Sequence, residues 1–307
     1  MTEMHRVSII ILNWNGAKDT IECLESLKKI TYPDYGVIVV DNGSSGNDAQ
    51  VLKEKFGDYI FLIENDKNYG YAGGINIGIK YALNDLASDY MLLLNNDTIV
   101  DPAFLNHLVN EANDSPLIGI TGPKIYHYNT SRLINCAGSL NRLWTGGVIV
   151  IGAQEIDNGQ YDTKRTVDLF NACMLIKDSV IKSIGFFNET YFCYWEDNDF
   201  CMRAKKAGFE IVYVPESKIW HKVGNTASKI KGLYQYFIIR NSFKFVKKYA
   251  NTRQYTVFIL YYFFLGFWWK IARLLISHRD INLYKALLRG TCDGMLGSST
   301  GAKYYIR

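Results

Sequence analysis

The sequence predicts an α/β protein with a mostly parallel sheet, followed by a helical C-terminal extension. Three observations carry this. Continuous apolar runs of strand length recur along the first hundred residues, and segments of helical periodicity alternate with them. A block of fifteen uncharged residues, 255–269, then appears inside a strongly basic stretch. With 307 residues, 48% apolar and 14% aromatic, the chain can bury a large core.

The elements follow in order. VSIIIL (7–12) reads as a strand buried on both faces, ending at Asn13-Trp14-Asn15-Gly16. Ile21, Leu24 and Leu27 give 19–29 one apolar helical face. YGVIVVD (35–41) is a second buried strand, closed by the turn residues Asn42, Gly43 and Ser44. A helix over 49–56 and a strand over 59–65 come next, then a helix opened near Asn68 and running to about Leu83. YMLLLNND (90–97) is an apolar strand with Asn95, Asn96 and Asp97 at its end. Such alternation implies right-handed crossovers, and ligands of such sheets sit outside the carboxyl ends of the strands. Asn13, Asn15, Asp41, Asn95, Asn96 and Asp97 are therefore expected to converge on one crevice.

Further on, 118–126 and 146–156 read as short strands, 167–177 as a strand returning to the core, and 178–184 as a helix. YWEDNDFCMR (194–203) then sets Glu196, Asp197 and Asp199 at the start of a helix over 198–206, with Gly208 closing it. Capping and the helix dipole favour acids there, and explain one or two of the three. Residues 210–222 read as two short extended pieces ending near His221.

Charge is divided along the chain. Residues 1–230 hold 21 Lys+Arg and 28 Asp+Glu, a net of −7; residues 231–307 hold 13 and 2, a net of +11. A basic, aromatic end implies an anionic partner. Its aromatics form one apolar block instead of interleaving with the basic residues, which points away from nucleic acid and toward a membrane surface. Fifteen uncharged residues fall short of the ~20 of a spanning helix. Residues 255–276 are thus expected as an interfacial or shallowly inserted helix, the plain alternative being an apolar helix packed on the body. The expected division is a catalytic domain over 1–229 and a membrane-associated helical region over 230–307. The six cysteines show no zinc spacing, and MTEMHR does not begin a secretory leader, which together lead us to expect a reducing, cytoplasmic setting.

Several chemistries are excluded at motif level. The first strand is not followed by GxGxxG, and neither GxxxxGK[ST] nor GxSxG occurs. What remains is a crevice with Asp41 after one strand and Asp97 after another. One carboxylate can hold a base or ribose and the other a hard cation. A third, from 194–199, can take a proton from an attacking hydroxyl.

In this order VSIIILNWNG, VIVVDNGSSG, NYGYAGGINIGI, LLLNNDTIVDP and YFCYWEDNDFCMRAKKAGFEIVYVP followed by WH resemble the family 2 glycosyltransferases of the GT-A fold, a Rossmann-like architecture. The flavour is that of the rhamnosyltransferase-like branch, and the match spans about residues 6–222. The resemblance implies an inverting, metal-dependent enzyme that takes dTDP-rhamnose or a UDP-sugar as donor. Its acceptor would be a saccharide, in this branch one carried on a polyprenyl diphosphate at the cytoplasmic face of the membrane. It assigns Asn13, Asn15, Asp41, Asn68, Gly73, Gly74, Asn76 and Asn96 to the donor nucleotide. Asp97 and His221 would hold a divalent cation, Mn2+ or Mg2+; the usual Asp-x-Asp motif here begins with Asn95. Asp197 matches the general base, ionised and kept so by the helix dipole, with Glu196 orienting the acceptor. Trp195 would stack on the acceptor sugar, and Asp199 would lie on the acceptor side while capping the helix. A polyprenyl-phosphate sugar synthase and a non-catalytic nucleotide-sugar binder are the rival readings.

Overall fold

The computed structural model describes residues 5–130, 132–223, 230–277 and 280–305. Its first half alternates as expected: β1 (Val7–Asn13), α1 (Ala17–Leu27), β2 (Tyr35–Asp41), α2 (Asp48–Phe56), β3 (Ile60–Glu64), α3 (Gly70–Asn84) and β4 (Tyr90–Asn95). Then come β5 (Thr98–Val100), α4 (Phe104–Asn113), β6 (Ile118–His127), β7 (Ile134–Cys136), β8 (Ser139–Arg142), β9 (Gly147–Val150) and β10 (Arg165–Thr166). β11 (Cys173–Lys177), α5 (Asp178–Ile184), α6 (Glu196–Lys206) and β12 (Glu210–His221) complete the body.

Ten strands form one sheet along the path β10-β12-β6-β11-β4-β1-β2-β3, with β5 on β12 and β7 on β6. β1, β2, β3 and β4 are mutually parallel. Both faces are covered, so period-2 alternation sends side chains into two cores. Ile9, Ile11, Val37, Val39, Leu92 and Leu94 pack on one face with Cys23, Leu24 and Leu27 of α1. Ile10, Ile38, Val40, Met91 and Leu93 pack on the other with Ile75 and Ile79 of α3. Burying each such side chain is worth about 1.5–3 kcal/mol.

Two expectations change in the middle of the chain. Of the expected strand 167–177 only Cys173–Lys177 is regular, and it runs antiparallel to β4, with Cys173 opposite Leu94. The break lies at Ala172, whose φ of +66° is incompatible with a strand. Within 210–222, expected as two pieces, one strand runs over Glu210–His221. Pro215 cannot donate to the ladder, and the register shift between Val214 and Lys218 absorbs it as a bulge.

The C-terminal helices are α7 (Leu233–Tyr249), α8 (Thr252–Tyr261), α9 (Phe267–Ser277) and α10 (Ile281–Leu296), with a π-turn at Tyr262–Gly266 joining α8 to α9. Asn251 and Gln254 form a capping box that starts α8. Thr252–Ile276 is one continuous rod of 25 residues, longer than its charge-free run, and its most apolar 18-residue stretch has mean hydropathy 1.4. The expected boundary at 229/230 adjoins 224–229, which lie outside the described residues. Tyr191 and Trp195, just before α6, share a core with Phe243 and Phe245 of α7, Phe258 of α8 and Tyr262. The loop that leads into the acidic helix is therefore packed by the C-terminal helices.

Candidate functional site

Register brings the strand ends together. Asn13 is opposite Asp41, and Leu12 is opposite Asn95. β5 then pairs antiparallel with the end of β12, His221 opposite Thr98, which carries His221 to the residue following Asn96. There His221 Nε2 lies 3.0 Å from Asp97 Oδ1, each side chain 14% exposed. Two donors about 3 Å apart fit neighbouring ligand positions of a six-coordinate cation held at ~2.1 Å. No cluster of three or more His, Cys, Asp or Glu suited to a metal occurs among the described residues. A pair of donors at a cavity wall suits a cation that completes its shell with phosphate oxygens and water, not a closed structural site.

Two cavities flank α6's first turn. The smaller, about 380 Å³, is lined by Asn68, Asn96, Asp97 and His221. The larger, about 700 Å³, runs between the 145–148 turn, α7 and the apolar rod. Glu196 and Asp197 line both, as do Asn171 and Tyr194. Asp197 Oδ1 and Glu196 Oε2 are shielded from solvent and have no hydrogen-bond partner among the described residues. Burial raises the Asp197 carboxyl to about 7. Burial, then the adjacent Asp197, raises Glu196 well above the usual carboxylate range. The expectation that the helix dipole would lower Asp197 is thereby corrected. A dipole is worth a fraction of a kcal/mol to ~2, and desolvation of an unpartnered carboxylate outweighs it.

The geometry of the acid-bearing loop is unusual. Phe192, Tyr194 and Trp195 have φ of +65°, +65° and +73°. Each such residue costs about 1–3 kcal/mol and persists only where its surroundings impose it. α7 supplies that constraint. Asn241, fully buried, donates from Nδ2 to the carbonyls of Tyr191, Cys193 and Tyr194 at 2.9, 2.8 and 2.8 Å. Arg240 donates to the carbonyls of Thr190 and Tyr191. On the other side Gly70, at φ +75°, abuts Phe192: a Cβ there would lie 2.5 Å from the Phe192 carbonyl oxygen. The start of α3 and the start of α6 are thus locked together.

Several expected site residues take other roles. Trp195 is among the lining residues of the larger cavity but is largely built into the core: it is 6% exposed, its ring packs on Phe245 at 5.0 Å, and its Nε1–H donates to the Ile238 carbonyl. A ring that large next to an apolar helix gains more from burial than from solvent. Asp199 neither caps the helix nor reaches an acceptor. It is fully buried and accepts from Arg203 Nε (3.0 Å), Lys248 Nζ (2.6 Å) and Tyr249 Oη (2.9 Å). Burial alone would raise its pKa; Lys248 and Tyr249 outweigh that and hold it below the usual value. Asn76, also buried, exchanges hydrogen bonds with the Phe187 backbone and donates to Glu189. Gly74 gives α3 close approach to the sheet, since a Cβ would lie 2.3 Å from Leu12 Cδ1, and at Gly73 the nearest neighbour of a Cβ is Tyr69. None of Gly73, Gly74 and Asn76 lines either cavity.

Asn13, Asn15 and Asp41 form the floor beside the smaller cavity instead of its lining. Asp41 accepts from Asn13 Nδ2 (2.7 Å), from the Ser44 backbone N–H and from Ser44 Oγ. Asn15 Oδ1 accepts from the Ser45 backbone N–H. Sequence reading missed Asn42, Asp48 and Asn171. Asn42 Nδ2 donates to Asn68 and to the Gly70 carbonyl, tying β2 to the loop before α3. Asp48 accepts from the backbone N–H groups of Gly16 and Ala17, serving the orphan donors at the start of α1. Asn42 was legible only as a turn residue, and Asn171 lay inside what reads as a strand.

Comparison with known proteins places these features in context. A family model described as Glycosyl transferase family 2 matches residues 8–185. The chain is 26% identical over 284 residues to a low-salt glycan biosynthesis hexosyltransferase of Haloferax volcanii, covering 91% of this chain and 87% of that one. It is 26% identical over 225 residues to an N-acetylglucosaminyl-diphospho-decaprenol L-rhamnosyltransferase of Mycobacterium tuberculosis, covering 67% and 72%. Its fold is similar to that of a mannosyltransferase of Pyrobaculum calidifontis solved with GDP-Man and Mn2+, with a TM-score of 0.60, 13% identity and coverage of 96% and 88%.

Proposed function

The chain belongs to glycosyl transferase family 2, and from that premise we propose that it moves a sugar, with inversion, from a nucleoside diphosphate donor to a hydroxyl of a lipid-linked saccharide. The observation that carries this reading is the position of Asp197 and Glu196 in the wall shared by the two cavities. The donor occupies the smaller cavity, with its diphosphate toward Asp97 and His221. The acceptor enters the larger. Its hydroxyl attacks the anomeric carbon from the side opposite the diphosphate, and Asp197 takes the hydroxyl proton as the new C–O bond forms and the old one breaks. Asp97 and His221 would hold a divalent cation, which when bound would neutralise charge on the departing diphosphate. Asn68 and Asn96 line the donor side, and Glu196 orients the acceptor. dTDP-rhamnose or a UDP-sugar is the donor in this reading.

A buried, proton-hungry carboxylate supports a hydroxyl acceptor over attack by a lipid phosphate, which is already ionised and needs no base. The burial of Trp195 removes it as an argument on this point. The rod 252–276 and the basic residues around it favour attachment at the cytoplasmic face of a membrane. Along the rod Leu260, Phe264, Trp268 and Ile276 are 50%, 73%, 61% and 85% exposed, an apolar stripe open to lipid. In this reading 1–229 form the catalytic domain and 230–307 the membrane-facing region.

The donor site is tested by thermal shift with dTDP, UDP and GDP, with and without Mn2+. One pyrimidine diphosphate should raise the melting temperature of the wild type only with metal, and Asp97→Asn should lose that response. A shift of equal size without metal, or one retained by Asp97→Asn, would remove Asp97 from the donor site.

A further inference from the structure

The larger cavity carries groups that the transfer chemistry leaves unused. Beside Glu196 and Asp197 its lining includes Lys270 and Arg273 of α9, the only cationic side chains among its lining residues. No acidic side chain pairs with either cation among the described residues. Lys270 lies 6.0 Å from the centroid of the Tyr262 ring, and Trp269 beside it is 72% exposed. Much of the remaining lining is apolar and aromatic, including Ile238 of α7 and Phe258 and Tyr261 of α8. The rod carries exposed apolar side chains on both sides of these cations, Phe264 and Trp268 before them and Leu275 and Ile276 after.

This sequence of surfaces matches one kind of molecule. Its hydroxylated end reaches carboxylates, its middle carries negative charge, and its far end is a hydrocarbon chain. We propose that Lys270 and Arg273 form the subsite for the phosphate or diphosphate of a lipid-borne acceptor, with the lipid chain leaving over Phe264 and Trp268. The rod is then a wall of the acceptor site as well as an attachment. Two unpaired cations facing an apolar-walled cavity hold a phosphate ester well, because its charge is matched where water is sparse. The inference rests on the reading of Asp197 as the base that faces the acceptor, and its test is a binding measurement that needs no turnover.

Full-length protein in detergent is titrated with farnesyl diphosphate in the presence of EDTA, which silences a metal-dependent donor site, and Trp fluorescence reports binding beside Trp269. Wild type and Asp97→Asn should bind equally. The double variant Lys270→Gln/Arg273→Gln should bind at least tenfold more weakly, and the charge-retaining Lys270→Arg/Arg273→Lys should recover most of the loss. Farnesol and inorganic pyrophosphate should each bind more weakly than farnesyl diphosphate, since each supplies only half of the match. Equal binding of farnesyl diphosphate by wild type and the glutamine variant overturns the proposal. So does a result in which those cations govern binding to vesicles of phosphatidylcholine with one-fifth phosphatidylglycerol while farnesyl diphosphate fails to bind, because the cations would then serve lipid headgroups. Asp197→Asn should retain farnesyl diphosphate binding while losing turnover. An active Asp197→Asn beside intact prenyl binding would sink only the base assignment, and an inactive one beside a wild type that fails to bind farnesyl diphosphate would sink only the subsite.

Discussion

Asp197→Asn will lower turnover by about 10²–10⁴-fold, the usual contribution of a positioned general base, with donor affinity unchanged. Asparagine keeps the shape and cannot take the proton. The measurement is steady-state turnover beside thermal shift by the pyrimidine diphosphate; a turnover within fivefold of wild type would remove Asp197 from the chemistry. The same residue governs the pH dependence. With its carboxyl raised to about 7 by burial, kcat/KM should rise about tenfold per pH unit below that value and level off above it. Stability moves the other way. The folded state holds the Asp197 proton more tightly than the unfolded chain does. Its contribution is therefore fully present below the ordinary value of 3.8 and is lost as pH rises through about 7. At pH 8 the wild type carries the cost of an ionised, unpartnered carboxylate, and Asp197→Asn should melt higher. That advantage should shrink as pH falls below 7. A variant less stable than wild type at pH 8 would contradict this account of the site.

The second large effect concerns Asn241, which touches neither cavity in the present account and still controls the site. Asn241→Leu keeps the volume and removes the donor shared by three buried or part-buried carbonyls of a loop with three left-handed residues. Unsatisfied buried acceptors cost about 1–3 kcal/mol each, so a loss of about 3–5 kcal/mol is expected by urea unfolding. Turnover should fall in the folded variant as well, because relaxation of Tyr194 and Trp195 shifts the start of α6 and with it Asp197. Stability within ~0.5 kcal/mol of wild type would show that the loop holds its own shape.

What the sequence by itself determined follows from local rules. Apolar runs of six or seven residues must be strands covered on both faces, and helical periodicity between them forces parallel crossovers. Polar residues at the ends of those runs must then share one edge of the sheet. Hence the Asp97 end of β4, the crevice and the basic apolar rod were all legible in one dimension, as was the resemblance carried by the five motifs. Tertiary structure decided the rest, and the reason is in each case a long-range balance that no window of residues contains. Whether an acid at a helix start is ionised depends on what buries it; Asp199 meets Lys248 and Tyr249 from α7 and stays charged, while two residues earlier Asp197, whose Oδ1 has no partner among the described residues, holds its proton to about 7. How much of Trp195 is left to face the larger cavity depends on Phe245 and the Ile238 carbonyl, some fifty and forty residues away. His221 reaches Asp97 because β5 pairs with β12, a pairing set by register across more than a hundred residues of chain. Local propensity names the elements; desolvation and partner geometry, which depend on the whole fold, decide what the side chains at their ends can do.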